Sequence, residues 1–452
     1  MARNSQASDT DNWRDLLQGV NPSLSAEMDH QEKTDGRLED SARIGSFMRG
    51  LMQKYERLRG KRPEAEKVLF WDLVVISAGD ASQQAWYEAQ LEMKHQSGDL
   101  PLVPFHIIPD PPGPRIGSGG STLHILTQLR GQFGASLERW RILLIHAGGY
   151  SKRLPSHSCS GKIFSPLPVR TERGGPYQML DLKLAMYLPF LDMMQPGVFI
   201  TASDDIEVFN LDPDLLESSS GEMITALAHP SSLFIGTTHG VYVMKELELA
   251  EKTLQDVRPC LEVLQKPSVD LMRERGAVRE EGGQEIVYSD SAFWFHSATT
   301  EKLIELYQNF GTWDVEMCIY GDLLTCLGER KQKHYLDTLY SADESLPQVK
   351  VKRKIAESVG DTQLDILSLH SSKFYHLGTT QEYLHGLTND KYLRLELNLE
   401  NIVCSNIKED CSNQIQGIVL NSVIEKSATL PSDSIVEYSA IYSKVRVLLK
   451  KY

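Results

Sequence analysis

A glycine-rich, positively charged loop follows an apolar segment in the stretch RILLIHAGGYSKRLPSHSCSGKIF (141–164). The apolar part is typical of a buried strand, and Gly148 and Gly149 follow it almost directly. Because glycine lacks a Cβ, backbone N–H groups can approach a ligand closely there. Three positive charges then fall within fourteen residues: Lys152, Arg153 and Lys162. Backbone donors and mobile cations together suit a triphosphate, and an exposed basic loop is the alternative.

A second glycine-rich segment, IGSGGST (116–122), also has the composition of an anion-binding turn. Three residues without a Cβ allow a tight turn and a close approach to phosphate: Gly117, Gly119 and Gly120. Ser121 or Thr122 can cap the helix predicted next, whose N-terminal end favours an anion. The segment lacks the third glycine of GxGxxG. A flexible turn between a strand and a helix is an equal alternative.

Carboxylates occur at two further places where strands are predicted. Asp204 and Asp205 end the segment FITASDD, and Asp290 lies within VYSDSAF. Hard oxygen ligands at strand ends suit Mg²⁺ bridging phosphate oxygens. Turn-forming or solvent-facing aspartates are the alternatives. Lys266 precedes Pro267, which predicts an extended conformation for the lysine and suits a second phosphate, although an exposed lysine fits equally well.

Helix-like and strand-like segments alternate along the chain, which indicates an α/β fold. The predicted helices lie at 42–59, 80–96, 121–129, 178–188 and 300–309. The predicted strands lie at 68–78, 103–108, 141–147, 197–203, 233–244 and 285–296. Ligands in open α/β sheets bind at the carboxyl ends of strands. Both glycine segments and the Asp204–Asp205 pair fall at such ends, so we expect them to converge on one crevice.

A six-residue period marks the C-terminal region. Branched apolar residues recur at Ile418, Ile424, Leu430 and Val436. Small residues recur four positions after each of them, at Ser422, Ala428, Ser434 and Ala440. This period is typical of a parallel β-helix. Four hexads make only about one coil, so we expect a short β-helix that packs on the main domain or is cut short.

Composition excludes several classes of protein. The chain has 452 residues, of which 41% are hydrophobic, and a net charge of −14, which gives no reason to expect nucleic-acid or membrane-surface binding. Six cysteines without a CxxC pair favour a reducing compartment. No signal peptide or apolar run of spanning length is evident, so a cytoplasmic location is expected. Residues 1–40 are polar and acidic, which predicts a disordered tail.

Taken together, the motifs resemble the fucose-1-phosphate guanylyltransferase family, also called GDP-L-fucose pyrophosphorylases. The matching segments span most of residues 66–440 in the family's order: PRIGSGGSTL, LLIHAGGYSKRLP with GKIF, YQMLDLKLAMY, DDIE, TALAHPSSLFIGTTHGVYV and KFYHLGTT. The resemblance implies a Rossmann-like nucleotidyltransferase domain (66–400) followed by a short parallel β-helix (401–452), and apolar residues at helical spacing over 42–59 predict an N-terminal helix (41–65) before them. No kinase cassette like that fused to some relatives is found in the sequence.

The resemblance also implies a reaction and its residues. GMP would pass from GTP to β-L-fucose 1-phosphate with Mg²⁺, giving GDP-L-fucose and diphosphate in fucose salvage. The implied nucleotide-binding residues are Gly117, Gly119, Gly120, Gly148, Gly149, Lys152 and Arg153. The implied catalytic residues are Arg153, Lys162 and Lys266. The sugar phosphate would contact Lys266, His239 and Gly236, and the metal ligands would be Asp205 or Asp204, with Asp290.

We therefore hypothesise in-line attack of the sugar phosphate on the α-phosphorus of GTP, which needs positioning and charge neutralisation rather than a protein nucleophile. Three alternatives stay open. The enzyme could use another nucleotide and sugar 1-phosphate. It could be a sugar kinase, although no hydroxyl-activating base stands out. It could also be a non-catalytic nucleotide-binding scaffold whose β-helix serves assembly. The oligomeric state is left open.

Overall fold

A computed structural model describes residues 34–212, 223–246, 253–281, 283–310, 315–330, 346–408, 415–425, 428–442 and 445–446. The α-helices in these ranges are α1 Thr34–Glu56, α2 Ala81–Gln96, α3 Gly117–Phe133, α4 Met179–Met186, α5 Leu233–Gly236, α6 Val269–Arg275, α7 Ser297–Phe310, α8 Pro347–Val359, α9 Thr380–Thr388 and α10 Lys391–Glu396. The strands up to residue 265 are β1 Leu73–Ala78, β2 Phe105–Pro109, β3 Arg141–His146, β4 Pro166–Arg170, β5 Pro176–Gln178, β6 Gly197–Ala202, β7 Asp205–Phe209, β8 Met223–Ser232, β9 Gly240–Met244 and β10 Gln255–Gln265. The later strands are β11 Arg279–Glu281, β12 Gln284–His296, β13 Gln363–Leu369, β14 Ser372–His376, β15 Ile402–Val403, β16 Asn406–Ile407, β17 Ile418–Leu420, β18 Val423–Ile424, β19 Ala428–Thr429, β20 Ile435–Glu437, β21 Ala440–Ile441 and β22 Val445–Arg446.

A ten-stranded mixed sheet forms the centre of the molecule, in the order β2-β1-β3-β6-β12-β8-β13-β10-β9 with β11 paired to β12. The first four strands in this order run parallel, whereas β12 is antiparallel to both of its main neighbours, β6 and β8. The carboxyl ends of β2, β1, β3 and β6 therefore meet along one edge of the sheet, where a ligand site is expected.

Helices cover both faces of this sheet. Successive side chains of a strand point to opposite faces, and apolar side chains on both faces need to be buried. In β1, Val74 and Ile76 pack in the core beneath α1, α2 and α4. Leu73 and Val75 pack in the opposite core, beneath α3, α7 and α8. All six residues of the strand are buried, which explains why its sequence is a continuous apolar run.

Most predicted elements are confirmed, and the differences at the N-terminal helix, the first strand and residues 233–244 are as follows. The N-terminal helix spans Thr34–Glu56, so residues 34–40, predicted as part of a disordered tail, are helical; residues 1–33 lie outside the described ranges. The first strand begins at Leu73, later than predicted. The strand predicted over 233–244 is wrong in its first part. Ser232 caps a short helix there by accepting a hydrogen bond from Ile235 N, and the strand begins only at Gly240.

The C-terminal strands pair in parallel ladders. In one ladder the successive partners are 17 positions apart, at Ile402, Val419 and Val436. The ladders β16-β18-β21 and β19-β22 keep the same spacing. Leu420 and Val403 are buried in the core that also contains α1 and α4, so this region packs on the main domain.

Among the described residues, no helix is both long and apolar enough to cross a membrane. The cysteines in those residues are free thiols: Cys159, Cys260, Cys318, Cys326 and Cys404.

Candidate active site

A cleft of about 1040 Å³ opens at the carboxyl ends of β1, β2 and β3. Six of the residues predicted to bind nucleotide or catalyse lie on its wall: Gly117, Gly148, Gly149, Lys152, Arg153 and Lys162. The expected convergence of the two glycine segments on one crevice is therefore observed, whereas Asp204 and Asp205, expected at the same crevice, are not among its lining residues.

The backbone after β3 lies close to the backbone after β1. A Cβ on Gly148 would lie 3.2 Å from Gly79 N, and one on Gly79 would lie 3.0 Å from Gly149 N. The Gln83 side chain joins the two turns, since its Oε1 accepts from Gly79 N at 2.7 Å and its Nε2 donates to the carbonyl of Gly149 at 2.9 Å. Gly149 has φ of 110°, a conformation that favours glycine.

The basic residues of the loop divide into free and paired cations. Lys152 and Arg153 are exposed, and no carboxylate among the described residues forms an ion pair with either side chain. The Arg153 carbonyl accepts a hydrogen bond from Thr380 N at 2.9 Å, which fixes the loop to the start of α9. Lys162 is 14% exposed and its Nζ lies 2.6 Å from Asp204 Oδ2. Two unpaired cations on the cleft wall are available to an anionic ligand.

Gly161 places Lys162 at the cleft and tolerates no larger residue. Its φ is 80°, and an added Cβ would lie 2.3 Å from the Tyr87 hydroxyl oxygen. Tyr87 is fully buried and donates to the carbonyl of Ala147 at 2.9 Å, so it cannot move away without losing that bond.

Gly161→Ala is expected to lower the free energy of unfolding by about 2–4 kcal/mol, from strain at positive φ and from overpacking. Gly174→Ala is the matched control, because Gly174 has φ of 92° but nothing within 4 Å of an added Cβ. It should lose only about 1 kcal/mol. Urea unfolding of both variants measures the difference, and equal losses would contradict the steric role of Tyr87.

Asp204 joins the cleft to β14 and α9. Besides Lys162, its Oδ2 lies 3.4 Å from His376 Nε2, and His376 Nδ1 lies 3.1 Å from Glu382 Oε2. Burial alone would raise the pKa of Asp204, but the hydrogen bond from His376 and the charge of Lys162 outweigh it and lower the pKa. Asp204 is thus held as an anion beside the cleft.

Asp205 faces the interior instead. Lys183, a fully buried lysine of α4, donates to Asp205 Oδ1, to Thr201 Oγ1 at 3.0 Å and to the Tyr187 hydroxyl at 3.2 Å. The Tyr187 hydroxyl in turn donates to Glu207 Oε1 at 2.7 Å. Burial raises the pKa of Asp205 despite the nearby ammonium group. These contacts occupy one carboxylate oxygen of Asp205 and make it part of a buried polar network.

A second group of predicted residues lies between β9, β10 and β12. Asp290 Oδ1 accepts a hydrogen bond from Gly240 N at 2.9 Å. Burial raises the pKa of Asp290, whereas interactions with His239 and Lys266 lower it, which places both side chains near this carboxylate. Gly236 is buried against Met272 and Val287. None of these predicted residues lines the cleft itself.

Lys266 does not have the extended backbone predicted from the following proline. Its φ is 48°, and its N–H donates to the His239 carbonyl at 3.0 Å. That hydrogen bond brings the end of β10 back towards the start of β9. The αL conformation, sparsely populated by non-glycine residues, is therefore stabilised by the pairing of these two strands.

The segment IGSGGST is the first turn of α3 rather than a loop. Gly117 has φ of 70°, and a Cβ on it would lie 2.3 Å from the Met317 carbonyl oxygen. Gly119 and Gly120 are buried, and a Cβ on Gly119 would lie 2.1 Å from Met317 Cε. Close packing against Met317 explains the small residues at 117 and 119, and Gly117, Ser118 and Ser121 are the positions that reach the cleft.

Several cleft residues were not predicted from the sequence: Ser77, Asp80, Asp110, Arg115, Tyr150 and Glu316. Asp80 follows β1 and Asp110 follows β2. Both could have been predicted in the same way as Asp204, which was selected because it lies at the end of a strand. Tyr150 donates to Asp80 Oδ2 at 2.5 Å. Glu316 had no local signal, because its position depends on the packing of Met317 against α3.

Fold and cleft together define an α/β protein whose cleft, at the carboxyl ends of parallel strands, is lined by glycines and cations. The sequence profile of the fucose pyrophosphorylase domain matches residues 134–448. The chain is 37% identical over 418 residues to the fucose-1-phosphate guanylyltransferases of Mus musculus and Homo sapiens, covering 88% of this chain and 70% and 68% of those proteins. The chain belongs to the fucose pyrophosphorylase family.

More distant similarities extend to larger proteins and to solved structures. The bifunctional fucokinase/GDP-fucose pyrophosphorylase of Arabidopsis thaliana is 26% identical over 87% of this chain and 38% of that protein. The crystal structure of apo-UDP-glucose pyrophosphorylase covers 72% of this chain and 78% of that one, at 10% identity and a TM-score of 0.28. The inositol-1-phosphate CTP transferase of T. maritima covers 74% and 97%, at 9% identity and a TM-score of 0.26.

Proposed function

We propose that this protein transfers GMP from GTP to β-L-fucose 1-phosphate and releases diphosphate. Its relatives at 37% identity carry the name fucose-1-phosphate guanylyltransferase. The observation that carries the proposal is the convergence of Gly148, Gly149, Lys152, Arg153 and Lys162 on one cleft. Backbone donors and cations in that arrangement suit the phosphates of a nucleoside triphosphate.

In this mechanism the basic loop neutralises the leaving group. Lys152 and Arg153, which lack carboxylate partners among the described residues, would bind the β- and γ-phosphates. Lys162, fixed by Gly161 and paired with Asp204, would reach the α-phosphate as charge develops there. Fixed cations aimed at developing charge act mainly on the transition state. The attacking oxygen belongs to the sugar phosphate, so no protein nucleophile is needed.

Among the carboxylates predicted to bind Mg²⁺, Asp204, which lies beside Lys162, is the one suited to hold the ion. That carboxylate is 19% exposed and is kept ionised, and Mg²⁺ is commonly bound through one or two carboxylates plus substrate phosphates. Asp205 and Asp290 are almost fully buried. No cluster of three or more His, Cys, Asp or Glu residues suited to a metal occurs in the described part of the chain. Mg²⁺ bound with the nucleotide would supply charge neutralisation of the phosphates.

Lys266 and His239 would bind the phosphate of the sugar. The two residues are neighbours, because the Lys266 N–H donates to the His239 carbonyl at 3.0 Å, and the Lys266 charge acts on the pKa of Asp290. The segment 315–321 connects this region to the cleft, since Glu316 lines the cleft and a Cβ on Gly321 would lie 3.6 Å from Cγ of Gln265, the residue before Lys266. The Gly236 turn would support this region through its packing on Met272.

The C-terminal region is proposed to be a short parallel β-helix. The 17-residue spacing of its three ladders supports one coil per 17 residues. Serines stack at that spacing, because Ser422 N donates to Ser405 Oγ and Ser439 N donates to Ser422 Oγ, both at 3.1 Å. The cytoplasmic location stays a prediction from the sequence.

Diphosphate release from the purified protein tests the proposed function. With Mg²⁺, we expect release from GTP and β-L-fucose 1-phosphate and little from ATP, UTP, glucose 1-phosphate or mannose 1-phosphate. Release with another pair would keep the nucleotidyltransferase mechanism and replace the substrates. GTP binding without release in any combination would contradict the proposal and favour a non-catalytic scaffold.

A further inference from the structure

One carboxylate of the cleft has no role in binding phosphates. Asp110 follows β2, and its N–H donates to the carbonyl of Ala78 at 2.8 Å, which fixes it to the end of β1. Pro109, Pro111 and Pro112 flank it and restrict the backbone of this turn. The Asp110 side chain is therefore held on the cleft wall by a rigid segment.

Asp110 also has spare hydrogen-bond capacity. Its Oδ1 is shielded from water, and the one donor acting on the carboxylate among the described residues is the Ser121 hydroxyl, so lone pairs remain for a ligand. The other acidic residues of the cleft differ. Asp80 accepts from Gln83 N and from the Tyr150 hydroxyl, so both of its oxygens are used. Glu316 is exposed to water. Only Asp110, among the three, offers a shielded acceptor that a ligand could satisfy.

The electrostatic environment of Asp110 also favours hydrogen bonding to a ligand. Burial raises the pKa of this carboxyl, and the nearby Ser121 hydroxyl only partly opposes the effect. A carboxylate that is poorly solvated in the free protein gains more from new donors than an exposed one does.

We infer that Asp110 reads the guanine base, accepting hydrogen bonds from its N1–H and its 2-amino group. Guanine places these two donors side by side, in the spacing of the two carboxylate oxygens. Adenine presents an acceptor next to its amino group, and uracil flanks its single N–H with carbonyls. A carboxylate therefore selects guanine from the common bases. The inference rests on the proposed function, since it assigns the base of the proposed GTP substrate.

Strand order agrees with this placement. The sheet runs β2-β1-β3-β6, so the end of β2 lies two strand spacings, roughly 10 Å, from the end of β3. Phosphates held by the loop after β3 leave room for the ribose over the end of β1. The base then arrives at the end of β2, where Asp110 and the first turn of α3 line the cleft.

Asp110→Asn tests the inference because the substitution keeps the shape and changes one acceptor into a donor. Binding of GTP, ITP and XTP, each with Mg²⁺, is measured by calorimetry, so that the result does not depend on turnover. ITP lacks the 2-amino group, and XTP carries a carbonyl in its place. The wild type should prefer GTP over ITP by roughly tenfold to a hundredfold, as for loss of a hydrogen bond to a charged group.

In Asp110→Asn, the ratio of GTP to ITP affinity should fall to about one, and XTP affinity should rise at least tenfold. A gain of XTP binding cannot result from misfolding. Glu64→Gln is the charge-matched control, because Glu64 is exposed and lines neither the cleft nor the neighbouring cavity that Asp110 also borders; its ratios should equal those of the wild type.

An unchanged GTP-to-ITP ratio in Asp110→Asn would overturn the inference. The same shift in Glu316→Gln, with none in Asp110→Asn, would also overturn it and assign the base to the opposite wall. Diphosphate release by the wild type is measured separately. If release fails while the XTP switch is present, the proposed reaction is wrong and the base assignment stands.

Discussion

Lys162→Ala is expected to lower kcat for diphosphate release by about 10²–10³-fold, the usual loss when a donor aimed at transition-state charge is removed. The ammonium group lies on the cleft wall and 2.6 Å from Asp204, so it connects the phosphates to the proposed metal ligand. KM for GTP should change much less, because Lys152 and Arg153 still hold the β- and γ-phosphates. Steady-state kinetics with the preferred substrate pair measures both constants.

A purely structural role for Lys162 makes a different prediction. The Lys162–Asp204 pair is mostly buried, with 14% and 19% of the side chains exposed, but His376 still contacts Asp204 when Lys162 is lost, so the substitution should cost about 1–3 kcal/mol of unfolding free energy. Lys354→Ala is the control, since it breaks an exposed lysine–glutamate pair on α8 and should leave kcat unchanged. A kcat within threefold of the wild type in Lys162→Ala would remove Lys162 from the reaction.

The sequence predicted those parts of the site whose position follows from local pattern. Gly148, Gly149, Lys152 and Arg153 come directly after a buried strand, and the rule that ligands bind at strand ends placed them correctly in the cleft. Lys162 required only the short turn that ends at Gly161. These residues needed no knowledge of tertiary packing.

The parts that the sequence could not predict depend on long-range contacts. Gly119 lies in a segment with the composition of a phosphate-binding turn. The position requires a residue without a Cβ for a different reason, because Met317, about two hundred residues later, packs against it. Asp204 and Asp205 are adjacent in the chain and were interchangeable as metal ligands. Successive side chains at the start of β7 point in opposite directions, so Asp204 contacts Lys162 and Asp205 contacts Lys183. No local signal in the sequence distinguishes the two aspartates.

Lys183→Met is expected to destabilise the protein by about 3–5 kcal/mol, because it leaves the Asp205 carboxylate buried without its counter-charge. Lys183 is fully buried, and its ammonium group uses its hydrogens on Asp205, Thr201 and Tyr187. Asp205→Asn should also be strongly destabilising, since it leaves the ammonium group buried alone. Urea unfolding of each variant measures the loss. Lys61→Met, which breaks an exposed pair with Glu66, should lose about 1 kcal/mol or less.

The double variant Lys183→Met/Asp205→Asn separates the pair from its surroundings. It removes both charges, so it should be more stable than Lys183→Met alone, as expected for residues in direct contact. Additive losses would instead mean that Asp205 is stabilised by groups other than Lys183. The folded fraction of the double variant also tests the chemistry. If Asp205 only supports the fold, that fraction should keep kcat near the wild-type value, whereas a metal ligand at this position would cost activity however stable the protein is.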